Sequence, residues 1–493
     1  MNKKFEQARE YFTDPRRPET SEKLAQLGAD TIRVMAQIYA TGGDIEKMDQ
    51  KTQDWLSRSK DSDDLVEIMG ELLQREIATR KFDHKFMGQI HPSGGKIGIL
   101  ANLVAAYMNT NTIVKEVSMS EHEMELEATD WLIDMFGYDK REASGNIVTD
   151  GTLANLAALW VAREKKIKEL KETGKWKPGT IMHVLVNDMR HYSIDKACVI
   201  LGTENVVLTL LPRKGYKTDT EEAKKAIWKI NRKGEHVLAL VGLAGETETA
   251  EVDDLDGLAN VASATKTHLH IDAAYGGPFI LSSRGGLFKG INRADSITVD
   301  PHKMLYVPYQ AGAVLFKSRK DHALIQKSAR YLQPDDNKGL LGDPVNRNFG
   351  FAARVEGSLG AGGVMATWAT EKLLGKDGFT ALLDHTLDLT EYCYVRVNQS
   401  ELLRPLHVPE LNTLLIGLSN NLVLSKEGYS RLVRDVQQAV DQKYGYYVST
   451  NDEVDNGRSA FRFVAMHPWT DIGDVENMVS CLEGEISERL KKK

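Results

Sequence analysis

Apolar residues recur every three or four positions over 20–39 and 65–79, which predicts two amphipathic helices in a charged segment poor in β-branched runs. Thr41-Gly42-Gly43-Asp44 between them reads as a turn. From about residue 145 the pattern changes, and short β-rich strings at 182–186, 206–210, 237–243, 268–271, 296–299 and 313–316 alternate with helical stretches. Strand alternating with helix predicts an α/β domain built on a mostly parallel sheet with helices on both faces. After residue 371 the rhythm loosens into strands at 413–418 and 460–466 and helices at 428–444 and 472–491, the order of a small α+β domain. The expected organisation is an N-terminal helical arm over 1–85, a large domain over 86–375 and a small closing domain over 376–493.

Composition narrows the partners. A chain of 493 residues exceeds one compact core, and 42 % apolar with 27 % charged residues excludes disordered and fibrous classes. Lys and Arg number 63 against 70 Asp and Glu, a net charge of −7, which argues against nucleic acid or a membrane surface as partner and for a small molecule. Three widely spaced cysteines, Cys198, Cys393 and Cys481, offer neither a disulfide framework nor a metal site, so no metal is expected and a reducing cytoplasm fits. No uncharged apolar run approaches the ~18 residues of a membrane span. The lysines of 165–177 are interrupted by Ile167, Leu170 and Trp176 and read as a solvated helix face.

The candidate chemistry lies at predicted strand ends. Asp300-Pro301-His302-Lys303-Met304 follows the strand 296–299, where open α/β sheets bind ligands, and a lysine shielded there can reach a pKa suited to Schiff-base chemistry. A surface lysine in a βα loop is the plain alternative. Asp272 ends the apolar string 268–271, where a carboxylate needs a cation, and a pyridinium nitrogen would serve. Ala273, Ala274, Gly276 and Gly277 after it leave room for a flat ring. Gly151 and Thr152 open an Ala/Leu-rich helix whose exposed N–H groups suit a phosphate, although Thr152 could equally be a helix cap. His191 and Thr247 sit at the ends of two further strands, and a flat His could stack on a ring.

Together these strings resemble the group II pyridoxal-phosphate-dependent amino acid decarboxylases, from about Lys85 to the C-terminus. His270-Ile271-Asp272-Ala273-Ala274-Tyr275-Gly276-Gly277 matches the family's H-V-D-A-A-W-G-G, and Asp300–Lys303 its D-x-H-K. The family's S-G-G-T/S-x-A-N stands here as Thr149-Asp150-Gly151-Thr152-Leu153-Ala154-Asn155, with Thr149 and Asp150 as departures. The resemblance implies the fold-type-I, aspartate aminotransferase-like α/β fold with a seven-stranded sheet, pyridoxal 5'-phosphate as cofactor, an L-amino acid as substrate, and a homodimer with active sites between subunits, for which the helical arm would be suited. It implies that Lys303 holds the cofactor covalently, Asp272 pairs with the ring nitrogen, and His191 stacks on the ring. Gly151, Thr152 and His302 would hold the phosphate, Ala274 would pack on the ring and Thr247 would lie near its hydroxyl.

By the same resemblance Arg462, in Phe461-Arg462-Phe463-Val464, would bind the substrate carboxylate, and Phe86 and Gln89 would line the substrate pocket. Tyr331 is the candidate to return a proton to Cα, or else an aromatic packed at a helix end. Asp-Gly-Thr at 150–152, Arg190-His191-Tyr192-Ser193 and Glu356-Gly357-Ser358 look most like bacterial tyrosine decarboxylases. Aspartate and glutamate decarboxylases share several of these strings. An aminotransferase, a phosphate-ester aldehyde lyase and an inactive scaffold are the more distant alternatives.

Overall fold

A computed structural model describes residues 18–58, 64–112, 118–327 and 354–491. The chain divides after Phe82 into two units. In the first, helix Pro18–Thr41 turns through Gly42 and Gly43 toward helices Gln50–Arg58 and Asp64–Ile77. Its apolar stripe, with Val34 and Ile38 fully buried, packs with Met48, Trp55, Leu56 and Leu73 into a small core.

The second unit carries two sheets. The larger has strands β1 (Ser144–Val148), β2 (Met182–Asn187), β3 (Val206–Leu211), β6 (His236–Leu243), β7 (Leu269–Asp272), β8 (Ser296–Val299) and β9 (Gly312–Phe316), in the order β1-β9-β8-β7-β6-β2-β3. β9 alone runs against its neighbours, so the sheet is mostly parallel, as the alternation of strand and helix predicts. β7 and β8 are buried at every position, the mark of central strands covered on both faces. A short hairpin, β4 (Arg213–Lys214) with β5 (Lys217–Thr218), follows β3.

The smaller sheet is antiparallel, in the order β10 (Leu403–Pro405), β11 (Thr413–Leu418), β13 (Arg458–Val464), β12 (Ser449–Asp455). Helices Lys426–Tyr444 and Ile472–Lys491 cover it. Helix Gly362–Asn398 serves both cores: Val364, Phe379 and Leu383 belong to the large one and Leu389, Cys393 and Val397 to the small one. Gly375 breaks this helix with φ of +56°, a conformation that glycine adopts without penalty. Among the described residues no helix is long and apolar enough to cross a membrane.

Candidate active site

β1, β2, β6, β7 and β8 are mutually parallel, so their C-terminal ends reach the same edge of the sheet, where ligands bind in open α/β folds. The segments that leave those ends enclose a cavity of about 210 Å³. Gly151 and Thr152 line it after β1, His191 after β2, Thr247 after β6, Asp272 and Ala274 at the end of β7, and His302 and Lys303 after β8. Eight residues singled out in five separate strings of sequence therefore meet at one place.

The phosphate-suited end is built by the helix Gly151–Glu172. Asp150, not Thr152, is its cap: the Asp150 side chain accepts from Leu153 N–H at 2.9 Å, and its carbonyl takes Ala154 N–H. The N–H groups of Gly151 and Thr152 come first at the helix end, where the macrodipole favours an anion. A Cβ at Gly151 would lie 2.7 Å from Asp300 Oδ2, so this residue must be glycine for the helix to start so close to β8.

Gly276 and Gly277 have another purpose than the sequence suggests. A Cβ on Gly276 would lie 2.4 Å from the Ala244 carbonyl oxygen, and one on Gly277 would press on Phe136. Gly276 lets the loop after β7 pack on the loop after β6, and Gly277 lets it pack on Phe136; only Ala274 of that string, with Asp272 and Tyr275, faces the cavity.

Lys303 also departs from expectation. Burial works against its charge, but Asp300, 2.8 Å from Nζ, with Asp272 and Tyr309 outweighs that effect and raises the lysine pKa. Asp300 is itself buried, which pushes its carboxyl up to about 6 despite the attraction of Lys303, and its Oδ1 has no hydrogen-bond partner. His302 is held to about 3 by burial and then by Lys303; its Nδ1 accepts from Ala311 N–H at 3.1 Å and its ring stacks on Tyr309 at 4.0 Å.

Asp272 and His191 share one organiser. Asn155 Nδ2 donates to Asp272 Oδ2 and to Ser193 Oγ, both at 2.9 Å, and the Ser193 hydroxyl lies 2.8 Å from His191 Nδ1. Burial lowers the His191 pKa, against the pull of Asp272, which favours a neutral, flat ring on the cavity wall. Asn155 closes the quoted string 149–155, but its sequence alone gives no sign that it reaches two other strand ends.

Arg462, Phe86 and Gln89 lie outside the cavity lining. Arg462 is buried on β13, within electrostatic reach of Glu246 and Tyr275 of the cavity wall and of Glu248 and Tyr447. Phe86 stacks on Tyr447 at 5.0 Å, and Gln89 Nε2 reaches the Tyr447 hydroxyl at 3.5 Å. Tyr447 thus ties the three together beside the small sheet. Tyr331 lies outside the described residues. Tyr309, which the sequence offers with Tyr306 and Phe86 as a candidate aromatic pocket wall, lines the cavity, and so does Glu246, which the sequence does not single out. Burial raises the Glu246 carboxyl to about 7, although Thr249 and the Glu248 N–H hydrogen-bond to it.

The profile of the pyridoxal-dependent decarboxylase conserved domain matches residues 45–409, and the chain belongs to that family. It is similar to an aromatic-L-amino-acid decarboxylase of Bacillus atrophaeus, 28 % identical over 63 % of this chain and 62 % of the relative. It is also similar to an aspartate 1-decarboxylase of Aliivibrio fischeri, 32 % identical over 54 % and 49 %. The chain therefore spans between about half and three fifths of these relatives' lengths. Its fold is that of Oryza sativa TDC, solved with PLP and tryptamine: TM-score 0.79 at 16 % identity, covering 97 % of this chain and 100 % of that one. The architecture is fold-type I, and the cofactor of the family is pyridoxal 5'-phosphate.

The residues present fit that cofactor. An amine faces the cavity, a carboxylate lies on its wall, a glycine too crowded for a side chain opens a helix N-terminus, and a flat imidazole stands alongside.

Proposed function

We propose that the protein decarboxylates an L-amino acid to the corresponding amine and CO₂. The meeting of Lys303, Asp272 and the Gly151–Thr152 helix end in one cavity carries this reading. When bound, pyridoxal 5'-phosphate supplies an electron sink for the pair left on Cα as CO₂ departs. Lys303 would supply the amine that anchors the cofactor, and Asp272 would keep a proton on the ring nitrogen. His191 would pack against the ring face, while Gly151 and Thr152, together with His302, would hold the phosphate. Arg462 orients the substrate carboxylate, and Phe86 and Gln89 contribute to the substrate side through Tyr447. Tyr331 returns a proton to Cα.

The substrate we favour is aromatic, tyrosine first. Tyr192, Tyr275 and Tyr309 line the cavity, and the carboxyls of Glu246 and Glu248 near Arg462 disfavour a second carboxylate on the substrate. An acidic substrate is the second reading, supported by the aspartate 1-decarboxylase relative. CO₂ release from tyrosine, DOPA, tryptophan, glutamate, aspartate and cysteine sulfinate decides between them. Keto acid in place of CO₂ would sink the decarboxylase reading itself. We further propose a homodimer, on the exposed apolar face of helix Lys96–Met108.

A further inference from the structure

Beneath the cavity, polar side chains are buried inside the sheet. His268 immediately precedes β7, His270 lies within it, and Ser296 opens β8. His270 and Ser296 are fully buried, and His268 nearly so. Polar groups at this depth are costly unless hydrogen-bonded, and these form one continuous chain. His268 Nε2 lies 3.0 Å from Ser296 Oγ, and Ser296 Oγ 2.9 Å from His270 Nδ1. His270 Nε2 lies 2.8 Å from Asn155 Oδ1, and Asn155 Nδ2 completes the chain at Asp272 and Ser193.

The chain has one consistent direction. An ionised Asp272 only accepts, so the Asn155 NH₂ must face it and the Asn155 carbonyl must face His270. His270 Nε2 then carries the hydrogen, and in a neutral ring Nδ1 is left to accept from the Ser296 hydroxyl. The Ser296 oxygen in turn accepts from His268 Nε2–H. His268 Nδ1, which has no partner, is then a bare lone pair and not a stranded N–H. Burial keeps both rings neutral, holding His270 at about 4 and lowering His268.

We propose that His270 is a positioning residue for the cofactor ring: through Asn155 it fixes Asp272 as an acceptor and, through Ser193, sets the tilt of His191. The proposal rests on the reading that Asp272 meets the ring nitrogen. With the Asn155 amide pinned, its N–H bond to Asp272 Oδ2 is stronger for the carboxylate than for the neutral acid, which favours the hydrogen on the ring. Without His270 the amide is free to turn its oxygen toward Asp272, which then favours a protonated carboxyl and a bare ring nitrogen.

The test is solid-state nitrogen NMR of holoenzyme reconstituted with ring-¹⁵N pyridoxal 5'-phosphate. The wild type should show a protonated ring nitrogen. His270→Leu should shift that signal toward the unprotonated position and weaken cofactor binding by about tenfold, the order expected for a hydrogen bond to a charged group. His270→Gln, whose amide still offers a donor at the Nε2 position, should restore the signal. An unchanged signal in folded His270→Leu would make the residue merely structural and overturn the proposal. If that variant does not fold, Ser296→Ala decides: it leaves Asn155 and Asp272 intact, frees His270 to move its proton, and should shift the same signal in the same direction. No shift there overturns the proposal as well. An unprotonated nitrogen in the wild type would instead overturn the Asp272 reading, and this inference with it.

Discussion

Asp300 governs the chemistry of its neighbour more than any other residue. Burial alone would lower the Lys303 pKa; the Asp300 carboxylate at 2.8 Å reverses that and stores the amine as an ammonium ion, which cannot attack the cofactor's aldehyde. Asp300→Asn keeps the shape and removes the charge, so the lysine pKa should fall. The same change removes a negative group beside the phosphate-suited helix end. Apoenzyme carrying Asp300→Asn should therefore recombine with pyridoxal 5'-phosphate several-fold faster at pH 7 in stopped-flow absorbance, and the gain should shrink as pH rises. A slower recombination would show that the carboxylate helps, and does not restrain, Lys303. At this scale the sequence was legible where a short string carries the chemistry, as in Asp300–Lys303 and Asp272. It was silent where residues distant in sequence act together: Asn155 meets Asp272, Ser193 and His270 only because three strand units, β1, β2 and β7, converge. The direction of the Lys303 shift was hidden for the same reason, since the letters give neighbours but not which effect wins.

The elements place these residues through close backbone contacts. Gly245, at φ of +86°, and Gly276 bring the loops after β6 and β7 together, and a Cβ on Gly276 would strike the Ala244 carbonyl, which has no side chain to yield. Gly276→Ala should cost about 1–3 kcal/mol in denaturant unfolding, the range for overpacking a filled site. It should also lower activity by displacing Asp272 and Thr247. A neutral effect on stability would mean that the loops part easily. In the small sheet, His407 Nε2 accepts from Leu415 N–H of β11 at 3.1 Å, so protonating it would set donor against donor. Burial pushes this His to about 4, against the Val408 carbonyl and Glu410, whereas an unfolded His titrates near 6.5. The folded state thus binds fewer protons between those values, and stability is lost as pH falls through that window, by about 1–2 kcal/mol at pH 5. His407→Gln retains an acceptor for Leu415 and should flatten that part of the pH profile of thermal unfolding. Strand positions were readable from apolar strings because central strands are buried on both faces. β1, β10 and β12 were not, since Ser144-Gly145-Asn146 and Ser449-Thr450-Asn451-Asp452 carry polar residues on edges or exposed faces.

At the scale of the whole molecule, one surface is too apolar to face water. Helix Lys96–Met108 buries Gly98 and Ala105, yet Ile99, Leu100, Leu103, Val104, Tyr107 and Met108 are each 49–58 % exposed. Their spacing, in adjacent pairs that repeat every four residues, makes a continuous stripe down one face. A monomer rarely leaves such a patch open, and a helix stripe is self-complementary when two copies meet about a two-fold axis. The sequence pointed instead to the charged arm, because a helix apolar on all sides reads as core and gives no sign that one side has no covering. Light scattering should give twice the chain mass for the wild type. Leu103→Glu with Tyr107→Glu places charges in the stripe without touching the buried side and should yield a folded species of single mass, with its circular dichroism retained. A wild type of single mass would end the dimer proposal. A variant that remains double would move the interface off this helix and leave the exposed stripe to another partner.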